Sequence, residues 1–148
     1  MFISDSEYHR IQEIMPILCV DVVLTWQAKC LLLKRLNHPA KGQWWFPGGR
    51  VLKNETIKQA CIRKSLAEVG LTAQFKTILS VEETIFPQIE SMRCDAHTVN
   101  ICCHLTVNDV KGLRLDTDHD QFDWFNASTA SKLDLHSSLL DPLILALK

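Results

Sequence analysis

The stretch "GGRVLKNETIKQACIRKSLAEVGL" (48–71) constrains this chain more than any other. A glycine pair allows a tight turn and a close approach of backbone to ligand. A helical pattern follows at once and ends at Gly70, a residue that readily takes the left-handed stop conformation. Asn54 is the predicted N-cap. A loop of this kind feeding a helix suits a phosphate or metal site, yet the helix carries few of the carboxylates such a site would use.

The flanking segments supply a sheet for that helix. "SDSEYHRIQEIM" has a Ser/Asp start and spaces Tyr8, Ile11 and Met15 helically, and Pro16 ends it. "ILCVDVVLTW" (17–26) and "KCLLLKRL" (29–36) read as strands joined by a turn near Ala28. Antiparallel pairing about that turn predicts Asp21 roughly opposite Arg35, as a cross-strand ion pair. Residues 37–50 read as a loop punctuated by Pro39, Gly42, Pro47, Gly48 and Gly49. Residues 75–86 and 97–107 read as strands. "LDTDHDQFDWF" (115–125) is an acidic loop entering a short strand, and "SLLDPLILALK" is a closing helix with Pro142 in its first turn. No repeat or linker interrupts the 148 residues, so one domain is expected, of the α/β or α+β class.

Composition excludes several function classes. A net charge of −1 gives no broad basic surface for nucleic acid. No apolar run approaches the ~20 residues of a membrane span. The opening "MFISDSEYHR" has no basic segment followed by an apolar one, so it does not read as a secretory leader. Six cysteines occur without a C-x-x-C pair, five of them in apolar runs. Buried reduced thiols in a cytoplasmic protein are the expectation, rather than disulfides or a zinc site.

Gly49 is followed by Glu55, Arg63, Glu68, Gly70 and Leu71 at spacings that resemble the Nudix box, G-x5-E-x7-R-E-U-x-E-E-x-G-U, where U is bulky and apolar. The resemblance implies a Nudix α/β/α sandwich with a mixed central sheet, and Mg²⁺ as cofactor. Three positions depart from the box: Lys64 and Ala67 replace glutamates, and Ser65 replaces the apolar residue. Positions 64, 67 and 68 share one helix face. Here that face sums to about zero charge, which disfavours a two- or three-metal site and leaves room for one Mg²⁺ held partly by Glu68. With "RLNHPAKGQWWFPGGRVLKNET" and "DHDQFDWF", the pattern looks like the GDP-mannose mannosyl hydrolase branch. That branch hydrolyses at the anomeric carbon, releasing GDP and free sugar.

The resemblance assigns roles residue by residue. Gly49, through its carbonyl, and Glu68 become metal ligands. Asp118 stands where the branch has Gln and is either a further ligand or part of a surface acidic loop. His119 becomes the general base toward water, against the plainer reading of a solvated loop histidine. Asp116, Asp118, Asp120 and Asp123 surround it in sequence and favour its protonated form, while a nearby Mg²⁺ opposes them. Arg50 and Arg35 stabilise the departing diphosphate. Asp21 orients this cluster or touches the sugar, unless it and Arg35 are only a structural pair. Glu55 and Arg63 fix the loop to the helix. Trp44, Trp45 and Phe46 read as core, with base stacking as the alternative. Glu82 and Glu83 read as an exposed strand end or as replacement carboxylates. Thr84 stands near a histidine of the branch, which leaves the sugar open.

The expected reaction is thus Mg²⁺-dependent hydrolysis of a GDP-sugar, most simply GDP-mannose. Two alternatives stand beside it: an ordinary Nudix pyrophosphatase attacking phosphorus, and a non-catalytic nucleotide-sugar-binding module. The apolar stripe of the N-terminal helix, and the relatives, imply a homodimer.

Overall fold

Ser4 opens the first helix because its hydroxyl accepts the Glu7 N–H while the Glu7 carboxylate accepts the Ser4 N–H, a reciprocal capping box. The structure is a computed structural model that describes residues 3–148. Helix α1 (Asp5–Ile14) leads into β1 (Ile17–Trp26) and β2 (Lys29–Arg35). Gln27 and Ala28 form the turn between these strands, both at positive φ (48° and 58°). That twist suits a tight hairpin.

The hairpin pairs only at Thr25↔Cys30 and Trp26↔Lys29. Beyond it the strands part. Asp21 of β1 faces Gly48 of β4 (Gly48–Arg50), while the Arg35 guanidinium donates from Nε to the Pro39 carbonyl at 2.8 Å. The predicted Asp21–Arg35 ion pair therefore does not form. The glycine-rich segment has entered the sheet and taken the edge of β1 that the hairpin would have used.

The sheet has seven strands and is mixed. β1 runs parallel to β6 (Ala96–Thr106) over Ile17↔Thr98 to Thr25↔Thr106. β5 (Gln74–Phe86) lies antiparallel on the far side of β6. β2 pairs antiparallel with β3 (Trp44–Trp45) and β7 (His119–Phe125). Two of the segments read as loop, around Trp44 and Gly49, are thus short strands. Strand β7 also begins at His119 itself, earlier than the acidic-loop reading implied.

Period-2 alternation divides the core between two helical layers. Val20, Val22, Leu24, Leu31, Leu33 and Cys103 bury on one face with Ala60, Cys61 and Val69 of α2 (Ile57–Val69). Val23, Cys30, Leu32 and Cys102 bury on the other with Leu139 and Leu143 of α4 (Ser137–Leu147). Each fully buried Val or Leu contributes roughly 1.5–3 kcal/mol. This is an α/β/α sandwich, and Cys102 and Cys103 point to opposite faces as expected. All six cysteines are free thiols. Among the described residues no helix is long and apolar enough to cross a membrane.

Three local expectations need correction. Thr56, not Asn54, caps α2: its hydroxyl accepts the Gln59 N–H at 3.2 Å and Gln59 returns a bond to the Thr56 N–H at 2.9 Å. Asn54 instead takes a left-handed turn, φ 65°. Helix α4 starts at Ser137, so Pro142 sits in its second turn. A short helix α3 (Ala127–Ala130), capped by Asn126, was not foreseen. Gly70 does end α2 in the left-handed conformation, φ 72°.

Candidate active site

Helix α2 and the segment after it build the site from two directions. Backbone bonds Arg114 N–H to Val69 carbonyl (3.0 Å) and Asp116 N–H to Glu68 carbonyl (3.1 Å) tie the 113–118 segment to the end of α2. The chain then enters β7, where His119 pairs in register with Arg35 of β2. Glu68, Asp116, His119 and Arg35 are brought together by these two pairings. Glu68, His119 and Arg35 line a cleft of about 220 Å³ that also presents Asp21, Gly48, Gly49, Arg50, Thr98 and Asn100.

His119 is buried, and its Nδ1 lies 2.7 Å from Asp116 Oδ1. An ionised Asp116 holds the ring as the Nδ1–H tautomer, which leaves Nε2 to accept a proton. Asp116 is thus the orienting partner of the imidazole. Sequence reasoning counted Asp116 only as nearby charge; the three-residue spacing Asp116–His119 was the available signal.

Glu68 is buried and fully engaged. Its Oε2 accepts the Gly48 N–H at 3.0 Å, and its Oε1 lies 2.8 Å from the Lys64 ammonium. Gly49 sits beside them at φ 152°. A side chain there would collide with the Lys64 stem, whose Cε is 2.8 Å from the position of a Cβ. Asp118 is exposed and accepts from Asn37 Nδ2 at 2.8 Å. Ligand atoms of Glu68, Asp116 and His119 all lie within 4.8 Å of one another. The two carboxylates at that spacing fit one divalent ion, with the His119 imidazole beside it rather than on it. Lys64 and Ala67 leave the same helix face without charge for a second.

Asp21 sits at the floor of the cleft. Asn100 Nδ2 donates to its Oδ2 at 3.1 Å, and Thr98 and Thr84 continue the hydrogen-bonded chain. Burial pushes its carboxyl up to about 7, reinforced by the charge of Glu68 and opposed by Asn100 and Arg35. Burial lowers the Arg35 pKa, while Glu68, Asp21 and Asp118 act to raise it. Arg50 stacks on Tyr8 of α1, its guanidinium carbon 5.0 Å from the ring centre. Arg63 grips Glu55 through Nε (2.6 Å) and a second nitrogen (2.9 Å), and also donates to the Arg50 carbonyl at 3.0 Å. This clamp anchors the glycine segment to α2.

Trp45 and Phe46 are buried and also line the cleft, while Trp44 packs edge-on against Phe125 at 5.3 Å. Glu83 is exposed and lies 3.1 Å from His97, and neither Glu82 nor Glu83 lines the cleft.

Residues 15–146 match the NUDIX domain family. The chain is 32% identical to low-salt glycan biosynthesis protein Agl8 of Haloferax volcanii over 124 residues, 83% of this chain and 79% of that one. It is 39% identical over 66 residues to ADP-ribose pyrophosphatase of Methanocaldococcus jannaschii, a match spanning 45% of this chain but only 39% of the relative. The NUDIX domain of Shewanella oneidensis NrtR, solved with ADP ribose, superposes with a TM-score of 0.66 at 20% identity, covering 97% of each chain. The MutT protein from Methanosarcina mazei Go1 gives 0.68 at 20% identity, over 88% of this chain and 93% of that one. Those two structures share the fold.

Proposed function

The chain belongs to the NUDIX family of hydrolases acting on nucleotide derivatives, and from that premise we propose that it hydrolyses a GDP-sugar, GDP-mannose in the simplest case, to GDP and free sugar. NUDIX hydrolases generally use divalent metals such as Mg²⁺. Glu68 and Asp116, with the carbonyl of Gly49, whose neighbour Gly48 bonds Glu68, and with Asp118 two residues beyond Asp116, are the residues proposed to hold one Mg²⁺. A bound ion supplies positive charge that stabilises the departing diphosphate.

The observation that carries this reading is the buried His119, hydrogen-bonded to a half-buried Asp116 and lining a cleft with two arginines and a thinned set of carboxylates. His119 Nε2 accepts a proton from water as the water oxygen bonds to the anomeric carbon. The carbon–oxygen bond to the diphosphate breaks, and the electron pair stays on GDP. Attack from the opposite side inverts the anomeric centre. Arg35 and Arg50 donate to the leaving oxygens. Asp21, Asn100, Thr98 and Thr84 form a polar floor suited to sugar hydroxyls. The relative named for glycan biosynthesis supports a sugar-nucleotide substrate.

A pyrophosphatase reading is favoured by the relative named ADP-ribose pyrophosphatase. Hydrolysis in ¹⁸O-water separates the two. Label in the free sugar, with GDP as co-product, supports attack at carbon; label in phosphate, with GMP and sugar phosphate, overturns it. Binding without turnover would instead favour the non-catalytic module. His119→Gln should lower kcat by about 10²–10⁴-fold while leaving the melting temperature near that of the parent.

A homodimer in the cytoplasm completes the proposal. Helix α1 has no fully buried side chain, and Ile14, Met15 and Leu18 are 62%, 56% and 44% exposed. Six free thiols suit a reducing compartment.

A further inference from the structure

Lys64 stands where the family's motif has a metal-ligating carboxylate, yet its side chain is not released to solvent. Lys64 and Glu68 side chains are only 20% and 9% exposed, and Nζ lies 2.8 Å from Oε1. The same ammonium lies 3.0 Å from the position a Cβ would take on Gly49. With the Gly48 N–H on Oε2, both Glu68 oxygens are in use. An ion approaching Glu68 therefore meets a cation already seated on the carboxylate and beside the glycine turn.

We propose that Lys64 is an internal counter-ion that holds Glu68 in the metal-free protein, so that a divalent ion binds only by displacing the ammonium. The inference rests on the metal-dependent reading above and adds a residue to it. Two consequences follow from the geometry. The carboxylate stays in place without metal, because a helical i, i+4 partner and a backbone N–H clamp it from two sides. The ion is also held weakly. A site competent in only a fraction of molecules shows a dissociation constant raised by the inverse of that fraction. A Glu68 free of lysine in about one molecule of ten, for example, would raise it about tenfold. The stem has room to swing outward, since Lys64 is not fully enclosed.

The test titrates Mn²⁺ alone into parent protein, Lys64→Met, Lys64→Gln and Lys64→Arg, reading free Mn²⁺ by electron paramagnetic resonance. Methionine keeps the stem and the helix propensity but removes the charge. About tenfold tighter Mn²⁺ binding by the Met variant, with the Arg variant close to the parent, is the expected result. The Gln variant carries the same expectation should the Met variant not fold. Equal or weaker affinity in the neutral variants overturns the inference, and so does absence of Mn²⁺ binding by every protein. Tighter binding by the neutral variants together with GMP as product leaves the inference standing and removes the GDP-sugar reading. GDP and free sugar with unchanged affinities does the reverse.

Discussion

Replacing Asp21 by Asn should stabilise the protein at neutral pH, although it removes a hydrogen-bonded buried carboxylate. Asp21 is 6% exposed, and its carboxyl rises from an ordinary 3.8 to about 7, chiefly through burial. Between those values the folded protein keeps a proton that the unfolded chain has released. A raised folded pKa contributes stability that is complete below the unfolded value and is lost as pH climbs through the folded one. One pH unit of difference corresponds to about 1.4 kcal/mol, so the full cost above pH 7 is roughly 4 kcal/mol. Asn cannot ionise, and its carbonyl can still accept from Asn100. Urea unfolding of parent and Asp21→Asn at pH 4, 5, 6, 7 and 8, with EDTA present, measures the effect. The variant's advantage should be near zero at pH 4, grow with pH, and level off above pH 7. A difference that is constant across this range would refute the reasoning, because the carboxyl would then ionise as it does in the unfolded chain. Turnover should fall in the same variant, since a charge this costly is retained at the cleft floor beside the proposed sugar site.

The Arg63–Glu55 clamp offers a second test. Arg63→Met should cost about 1 kcal/mol by thermal melting, a modest figure because the Arg63 side chain is 36% exposed and the pair is solvent-screened. Arg63 holds the Glu55 carboxyl below its ordinary value, so that cost should be present at neutral pH and vanish as acid protonates Glu55. Sedimentation velocity should show a homodimer for the parent, and Ile14→Glu should shift it toward monomer; an unshifted variant would remove α1 from the interface.

What the sequence determined by itself was whatever depends on neighbours along the chain. Helix α2 and its Gly70 stop, the apolar strand runs of 17–26 and 29–36, and the Gly49, Glu55, Arg63, Glu68 spacing are all local patterns. So is the charge-neutral face of Lys64, Ala67 and Glu68, because residues three and four apart on a helix must be neighbours. What tertiary structure decided were the partners. Asp21 found Asn100, 79 positions away, because β1 pairs in parallel with β6 and because β4 displaced the hairpin. Asp116 became the partner of His119 only once backbone bonds fastened its segment to the end of α2. Strand pairing is non-local, and a one-residue slip reverses every side chain, so no spacing rule fixes it in advance. A local motif can name the groups that would do chemistry, whereas the buried environment that sets the proton affinity of Asp21 exists only after the sheet has closed around it.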